Sequence, residues 1–193
     1  MKALAINGSP RKGGNTEILL RKVLEPIAAA GHQTDYLQVG GTRIRGCTAC
    51  DACKRIRNRQ CVIDEDTFNL AFAKMCEADA IVIGSPTYFG DVTAETKALI
   101  DRAGRVGRAN GGLLRRKIGA AVAAVRRGGA VQVMETINHL FLACEMVVPG
   151  STYWNFGIGG APGDVLNDEE GLANMENLGG QIVWLFGLME KNG

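Results

Sequence analysis

Short apolar runs alternate along this chain with stretches of helical periodicity, and that alternation restricts the fold more than any other feature. The runs are Lys2–Asn7 (KALAIN), Gln33–Val39, Ala80–Gly84 (AIVIG), Lys117–Val125 (KIGAAVAAV) and Met146–Tyr153. Asn15–Ala30 carries a stripe at Leu20, Val23, Leu24 and Ile27, and Asp64–Cys76, Ala94–Arg105 and Ala130–Cys144 read as further helices. Leu172, Met175, Leu178, Ile182, Leu185 and Met189 mark a last one, at spacings of three and four. Pro26 predicts a kink or an early end in the first helix, because proline has no N–H to donate. Apolar strands that each precede a helix predict a parallel sheet covered on both faces. Ligands of such sheets bind outside the carboxyl ends of the strands. The loops beginning at Gly8, Ser85, Arg126 and Trp154 are therefore where chemistry is expected.

At 193 residues the chain suits one domain, 1–193, interrupted only by a cysteine-rich loop at 40–63. No wholly apolar stretch approaches the roughly 20 residues that span a bilayer. The opening MKALAINGSPRKGG has no apolar segment of signal-peptide length, so a cytoplasmic chain without a membrane partner is expected. A net charge of +2 and the lack of any nucleic-acid motif argue against a nucleic-acid partner. The basic residues are nevertheless gathered at Arg102, Arg105, Arg108, Arg115, Arg116, Lys117, Arg126 and Arg127. Such a stretch either attracts a phosphate-bearing ligand or is a solvated surface.

The first loop, NGSPRKGGNT, offers hydroxyls at Ser9 and Thr16, a guanidinium at Arg11, an amide at Asn15 and flexible backbone at Gly13 and Gly14. It stands at a strand-to-helix junction, where free N–H groups and the helix dipole favour an anion. It has neither the G-K-[ST] of a Walker loop nor G-x-G-x-x-G, so one phosphate suits it better than a pyrophosphate. The plainer reading is that Asn15 or Thr16 caps the helix. The loop SPTYFGD, residues 85 to 91, sets Tyr88 and Phe89 beside exposed amides, which suits a planar heteroaromatic ring or ordinary surface packing. Arg126 to Gly129 adds cations and approachable backbone on the same edge.

G-S-P-R-x-G-G-N-T followed by S-P-T-Y-F-G-D-V-T-A-E-T-K-A-L-I-D-R resembles the NADPH-dependent FMN reductase family of flavodoxin-like proteins. The resemblance implies an α/β fold, a doubly wound five-stranded parallel sheet of order 2-1-3-4-5 that binds FMN. By the same resemblance Ser9, Arg11, Asn15 and Thr16 would hold the phosphate. Pro86, Thr87, Tyr88, Phe89 and Gly90 would line the isoalloxazine, and Arg127, Gly128 and Gly129 would close the site. A homodimer or homotetramer is implied as well.

Cys47, Cys50, Cys53 and Cys61 form C-x2-C-x2-C-x7-C. Disulfides are disfavoured in a cytosolic chain, so this density of thiols suggests a metal site. Thiolate sets take zinc or an iron–sulfur cluster, and zinc usually draws on two separated pairs. Three cysteines at two-residue gaps follow the ferredoxin arrangement, although the fourth comes seven residues later and precedes Val62 instead of proline. The combination resembles the iron–sulfur flavoproteins, which implies a [4Fe–4S] cluster on these four residues. Lys54, Arg55, Arg57 and Arg59 surround them, and positive charge stabilises a more negative cluster. A loop that holds no metal is the alternative. Cys76 and Cys144 read as packing residues and His32 and His139 as structural, and there is no nucleophile elbow. Trp154 either walls a pocket or packs in the core, and Trp184 belongs to the core or to a subunit contact.

These features predict a redox flavoenzyme in which the cofactors carry the chemistry and no side chain serves as nucleophile or base. Electrons would pass from NAD(P)H or ferredoxin to a small-molecule or protein acceptor. The alternatives are a flavodoxin-type carrier, a clusterless NAD(P)H-dependent FMN, quinone or azo reductase, and a zinc-bearing interaction module. Because the cysteine loop follows the second strand, the cluster is expected away from the flavin's reactive edge, with a neighbouring subunit bridging the two.

Overall fold

In the computed structural model, which describes residues 1–192, five strands lie in the order β2-β1-β3-β4-β5, all parallel. They are β1 (Lys2–Asn7), β2 (Gln33–Gln38), β3 (Ala80–Pro86), β4 (Ile118–Val125) and β5 (Phe156–Ile158). The helices are α1 (Asn15–Ala29), α2 (Ala52–Ile56), α3 (Phe68–Glu77), α4 (Ala94–Ala109), α5 (Ala130–Ala143) and α6 (Glu169–Asn192). The strand order is the one expected, and it puts the switch point between β1 and β3, where a ligand crevice opens.

Successive strand residues face opposite sides of the sheet. On one side Ala3, Ala5, Val82 and Val122 meet Leu20, Val23 and Ile27 of α1 and Leu178 and Ile182 of α6. On the other, Leu4, Ile6, Ile81 and Ile83 meet Phe72 of α3, Leu99 of α4 and Phe141 of α5. Both faces being covered is why β1, β3 and β4 read as apolar runs, whereas β2 at the sheet edge is largely polar. Each such side chain, fully buried, contributes roughly 1.5–3 kcal/mol. Gly119 makes the space that the Phe141 ring fills, since a Cβ there would stand 2.5 Å from Phe141 Cγ. Among the described residues no helix is long and apolar enough to cross a membrane.

Several expectations are corrected. Helix α1 continues through Pro26 to Ala29, with Ala30 donating its N–H to the Pro26 carbonyl at 3.0 Å. Helix α6 presses on this segment: a Cβ on Gly179 would lie 2.3 Å from the Val23 carbonyl oxygen and 2.4 Å from Pro26 Cγ. The fifth strand is Phe156–Ile158, not Met146–Tyr153. Val147 makes one parallel bridge to Ile118, then Pro149 ends the pairing and the chain swings outward. Asn174 of α6, 2% exposed, holds the excursion. Its Oδ1 accepts from Thr152 Oγ1 at 2.8 Å and the Tyr153 N–H at 3.0 Å, and its Nδ2 donates to the Trp154 carbonyl at 2.9 Å. The loop after β5 therefore begins at Gly159 instead of Trp154. Trp154 and Trp184 are both exposed, so neither is a core residue. Helix α3 starts at Phe68 instead of Asp64, because Asp66 is drawn into a buried ion pair.

Candidate functional site

The first loop is anchored from beneath. Asn7, fully buried at the end of β1, donates from Nδ2 to Tyr36 Oη and Gln38 Oε1, both at 2.9 Å, and accepts the Ser9 N–H at 2.9 Å. Gln38 Nε2 donates to the carbonyls of Ser9 and Gly40. Thr93, the residue that caps α4, donates from Oγ1 to the Gly8 carbonyl at 2.8 Å. Gly40 abuts the same turn, and a Cβ there would stand 2.3 Å from the Gly8 oxygen. Ser9 and Thr16 are buried, and Ser9 Oγ accepts the Arg11 N–H at 3.2 Å.

Above this anchor a cleft of about 180 Å³ is lined by Ser9, Arg11, Asn15, Thr16, Pro86, Thr87, Tyr88, Ala124, Arg126, Gly159 and Gly160. Loops distant in sequence thus converge at the carboxyl edge of the sheet. Asn15 stands at the rim with its amide already engaged: Nδ2 donates to the Ala161 carbonyl at 2.9 Å, and Oδ1 accepts the Gly163 N–H at 2.8 Å. It latches the loop after β5 onto the first loop. The sequence does not show this latch, because it joins a loop that begins at Gly159, after β5, and not at the expected Trp154. Arg126 lines the cleft, whereas Arg127 and Gly128 are exposed outside that lining. Gly129, at φ +88°, closes against the third loop, and a Cβ would lie 2.7 Å from Thr87 Cγ2.

Tyr88 and Asp91 exchange backbone hydrogen bonds at 2.8 and 3.1 Å around a two-residue turn in which Phe89 and Gly90 have φ of +48° and +87°. Positive φ at both central positions is the type I′ geometry that glycine and asparagine favour. A bulky side chain there carries strain of about 1–3 kcal/mol. The turn projects Phe89 wholly into solvent. Thr87 Oγ1 is buried with no hydrogen-bond partner.

The cysteine loop leaves the sheet beside this cleft and returns to α3. Its stems are tied: Thr42 Oγ1 and Thr67 Oγ1 lie 2.8 Å apart, and the Thr67 N–H donates to the Arg43 carbonyl at 3.1 Å. Arg102 of α4, which belongs to the basic stretch that the sequence leaves as either a phosphate attractor or a solvated surface, is 0% exposed. It donates to Asp66 Oδ2 at 2.5 Å, to the Arg45 carbonyl at 3.1 Å and to the Ile63 carbonyl at 2.6 Å, with its guanidinium 4.1 Å from the Phe68 ring centre. Burial alone would raise the Asp66 carboxyl. Arg102 and the N–H groups of Arg45 and Phe68 outweigh it and hold the group below the ordinary range.

Cys47, Cys50, Cys53 and Cys61 line one recess together with Arg102, Arg105 and Val106 of α4. All four are free thiols: Cys47 and Cys50 exposed, Cys53 buried and Cys61 between. Asn69 of α3 grips Cys61 at both peptide groups, at 2.9 Å each. Ala49, Asp51, Arg57 and Arg59 have φ between +53° and +65°. Left-handed residues next to right-handed ones turn successive N–H groups to one side, the concave arrangement found at phosphate and iron–sulfur sites. The Cys50 thiol is held below its ordinary range, first by the Ala52 N–H and then by the Thr48 hydroxyl. Asp51 pairs with Arg105 and, at 3.7 Å, with Lys54. Of the cations expected around the thiols, Arg55 donates to the Cys50 carbonyl at 2.9 Å and Arg57 and Arg59 are exposed, whereas the cations lining the recess itself come from α4. Among the described residues no three His, Cys, Asp or Glu side chains converge as they would on a single ion. Cys144 is buried and Cys76 half-buried, and desolvation pushes both thiols up. His32 stacks edge-on against Phe186 at 4.9 Å. A larger groove of about 680 Å³ lies between α4 and α5, lined in part by Lys54, Lys97, Arg105, Arg108 and His139.

Over residues 1–161 the chain matches the family described as NADPH-dependent FMN reductase. It is 38% identical over 200 residues to an iron–sulfur flavoprotein of Methanocaldococcus jannaschii, covering 99% of this chain and 100% of that one. An iron–sulfur flavoprotein of Archaeoglobus fulgidus is 36% identical over 195 residues, with 95% and 94% covered. Among solved structures, RosB, crystallised with 8-demethyl-8-formylriboflavin-5'-phosphate, superposes with a TM-score of 0.76 at 19% identity, covering 99% of this chain and 81% of that one.

Proposed function

The chain belongs to the NADPH-dependent FMN reductase family, and we propose that it is an oxidoreductase of the iron–sulfur flavoprotein type. In this reading it passes electrons from NAD(P)H or ferredoxin to a small-molecule or protein acceptor. The observation that carries the proposal is the pairing of two sites in one domain: a cleft at the sheet edge and a recess lined by four cysteines. FMN supplies hydride or single-electron transfer when bound, and a [4Fe–4S] cluster supplies single-electron transfer.

The cleft suits FMN. Ser9, Arg11 and Thr16 would hold the phosphate at the start of α1, where unpaired N–H groups and the dipole favour it. Asn15 would position the neighbouring loop. Pro86, Thr87 and Tyr88 would line the ring, with Phe89 and Gly90 at its rim and Gly129 keeping the passage open. The unpartnered Thr87 hydroxyl supports this, since a buried polar group left unsatisfied costs about 1–3 kcal/mol that a polar ligand atom would recover.

The recess suits a cluster. Cys47, Cys50, Cys53 and Cys61 would be its ligands, and backbone N–H groups that bear on the thiols, as that of Ala49 does on Cys47 Sγ at 3.4 Å, favour an anionic centre. A single tetrahedral ion would draw four sulfurs to about 2.3 Å from one point. Four cysteines lining one recess supply the thiolate set of a cubane. That no three such side chains converge on one point among the described residues favours the second reading, a clusterless flavin reductase. The cationic groove beside the recess supports an acidic electron-transfer protein as partner. Thr93, which braces the Gly8 carbonyl beneath the cleft, and Arg102 at the recess stand about 14 Å apart along α4 at 1.5 Å per residue. That separation, with the exposed Phe89 and Trp184, supports a homodimer or homotetramer in which the relay crosses an interface. Six free cysteines suit a reducing compartment such as the cytoplasm.

The test is the visible spectrum and metal content of protein purified without oxygen. Flavin bands with about four irons per chain support the proposal. Flavin alone supports the clusterless reductase, and zinc without flavin overturns both readings.

A further inference from the structure

We infer that Arg102 is a positioning residue whose Nε–H donates a hydrogen bond to the sulfur-bearing centre in the cysteine recess and raises its reduction potential. The inference rests on reading the four cysteines as cluster ligands. A guanidinium has five N–H donors in a fixed plane. One terminal nitrogen of Arg102 serves Asp66 and the Arg45 carbonyl, and the other serves the Ile63 carbonyl. Nε alone is buried without a partner. It cannot turn to water, because the carboxylate, two carbonyls and the Phe68 ring fix the plane on a side chain with 0% exposure. That same side chain lines the recess of Cys47, Cys50, Cys53 and Cys61.

An orphaned donor on a buried cation is costly, and few such groups persist without an acceptor. Among the groups lining the recess, thiolate and sulfide sulfurs are the acceptors that cluster binding would add. Asp66 neutralises the guanidinium, so what reaches the recess is a directed N–H dipole more than a net charge. Such a dipole favours the more negative, reduced form, and hydrogen bonds to sulfur are one of the determinants of cluster potential. The clamp on the loop stems and the donor into the recess are thus separable functions of one side chain.

The separation gives the test. Arg102→Lys keeps a cation for Asp66 and removes the Nε–H; Asp66→Asn loosens the clamp and keeps the Nε–H. Iron content, far-UV circular dichroism and a potentiometric titration of the cluster absorbance are measured for both. The expected result for Arg102→Lys is retained iron and fold, with the reduced-to-oxidised cluster ratio at fixed potential lowered about tenfold, which is 59 mV for one electron. Asp66→Asn should show no such lowering, and the flavin potential should be the same in all three proteins. Iron lost from Arg102→Lys but kept by Asp66→Asn also supports the donor role. A ratio within twofold of wild type in Arg102→Lys overturns it, as does equal lowering, or equal loss of iron, in both variants. Wild-type protein that takes up no iron under anaerobic reconstitution sinks the cluster reading itself, and this inference with it.

Discussion

The sheet-edge cleft and the cysteine recess are built by opposite means. The cleft is a product of the sheet: parallel strands end together, and their loops converge without, among the described residues, any long-range ion pair between them. The recess stands on a segment with no strand of its own and only the short helix α2. Its geometry comes from a buried ion pair, two threonine hydroxyls and left-handed residues that are not glycine. A site set by strand ends inherits the stability of the core. A site on an insertion depends on the few contacts that fasten it, so the two should fail independently.

The strongest test of that independence is Cys50→Ala. Iron should be lost entirely while FMN stays bound and reducible by its donor, and transfer to one-electron acceptors should fall to background. Unchanged one-electron turnover in protein shown to lack iron would refute the relay. The mirror experiment is Ser9→Ala combined with Arg11→Ala. Two charge-assisted contacts at roughly 1.5–3 kcal/mol each predict FMN binding weakened about 10²–10⁴-fold, with iron content unchanged. Retention of FMN through gel filtration would count against the phosphate assignment.

Asp66→Ala leaves Arg102 buried and uncompensated, a loss of about 3–5 kcal/mol. Urea titration should show the loop opening well before the flavin is released, and a single shared transition would deny the independence. Acid should act at the same place. Asp66 is held below its ordinary range, so its contribution is complete above the unfolded value of about 3.9 and is lost as pH falls through the lower folded value. Thiol accessibility at Cys53 should rise in that window while the sheet stays folded. The smallest effect is expected at Phe89→Gly. Relief of the left-handed strain should raise thermal stability by about 1 kcal/mol, and loss of the exposed ring should weaken whatever face covers it.

The same contrast decides how much was readable from the chain. Loops that follow strands are contiguous in sequence, so NGSPRKGGNT and SPTYFGD displayed most of the cleft directly. The four thiols were equally plain from their spacing. What escaped was everything supplied across the fold. In the sequence Arg102 and Arg105 belong to a basic stretch that is either a phosphate attractor or a solvated surface, and only the packing of α4 under the loop puts them in the recess. Asp66 looked like part of a helix. The fifth strand was misread because Met146 to Tyr153 is the longer apolar run, whereas three residues from Phe156 pair more fully with β4. Asn174, lying on another element, is what diverts the chain there.

The meeting of Thr42 with Thr67 has a consequence for how such a protein can be altered. The chain between them leaves and re-enters the scaffold at one point, so a short turn could replace it without moving β2 or α3 apart. Loop-closure entropy changes slowly with length, about 0.6 kcal/mol per doubling, so neither excision nor extension is opposed by the chain itself. The segment is in that sense a detachable cassette. Grafted between the equivalent strand and helix of a flavin-only scaffold, it carries its own Asp66 and Asp51 and needs the counterparts of Arg102 and Arg105 on α4 and of Asn69 on α3 to be seated.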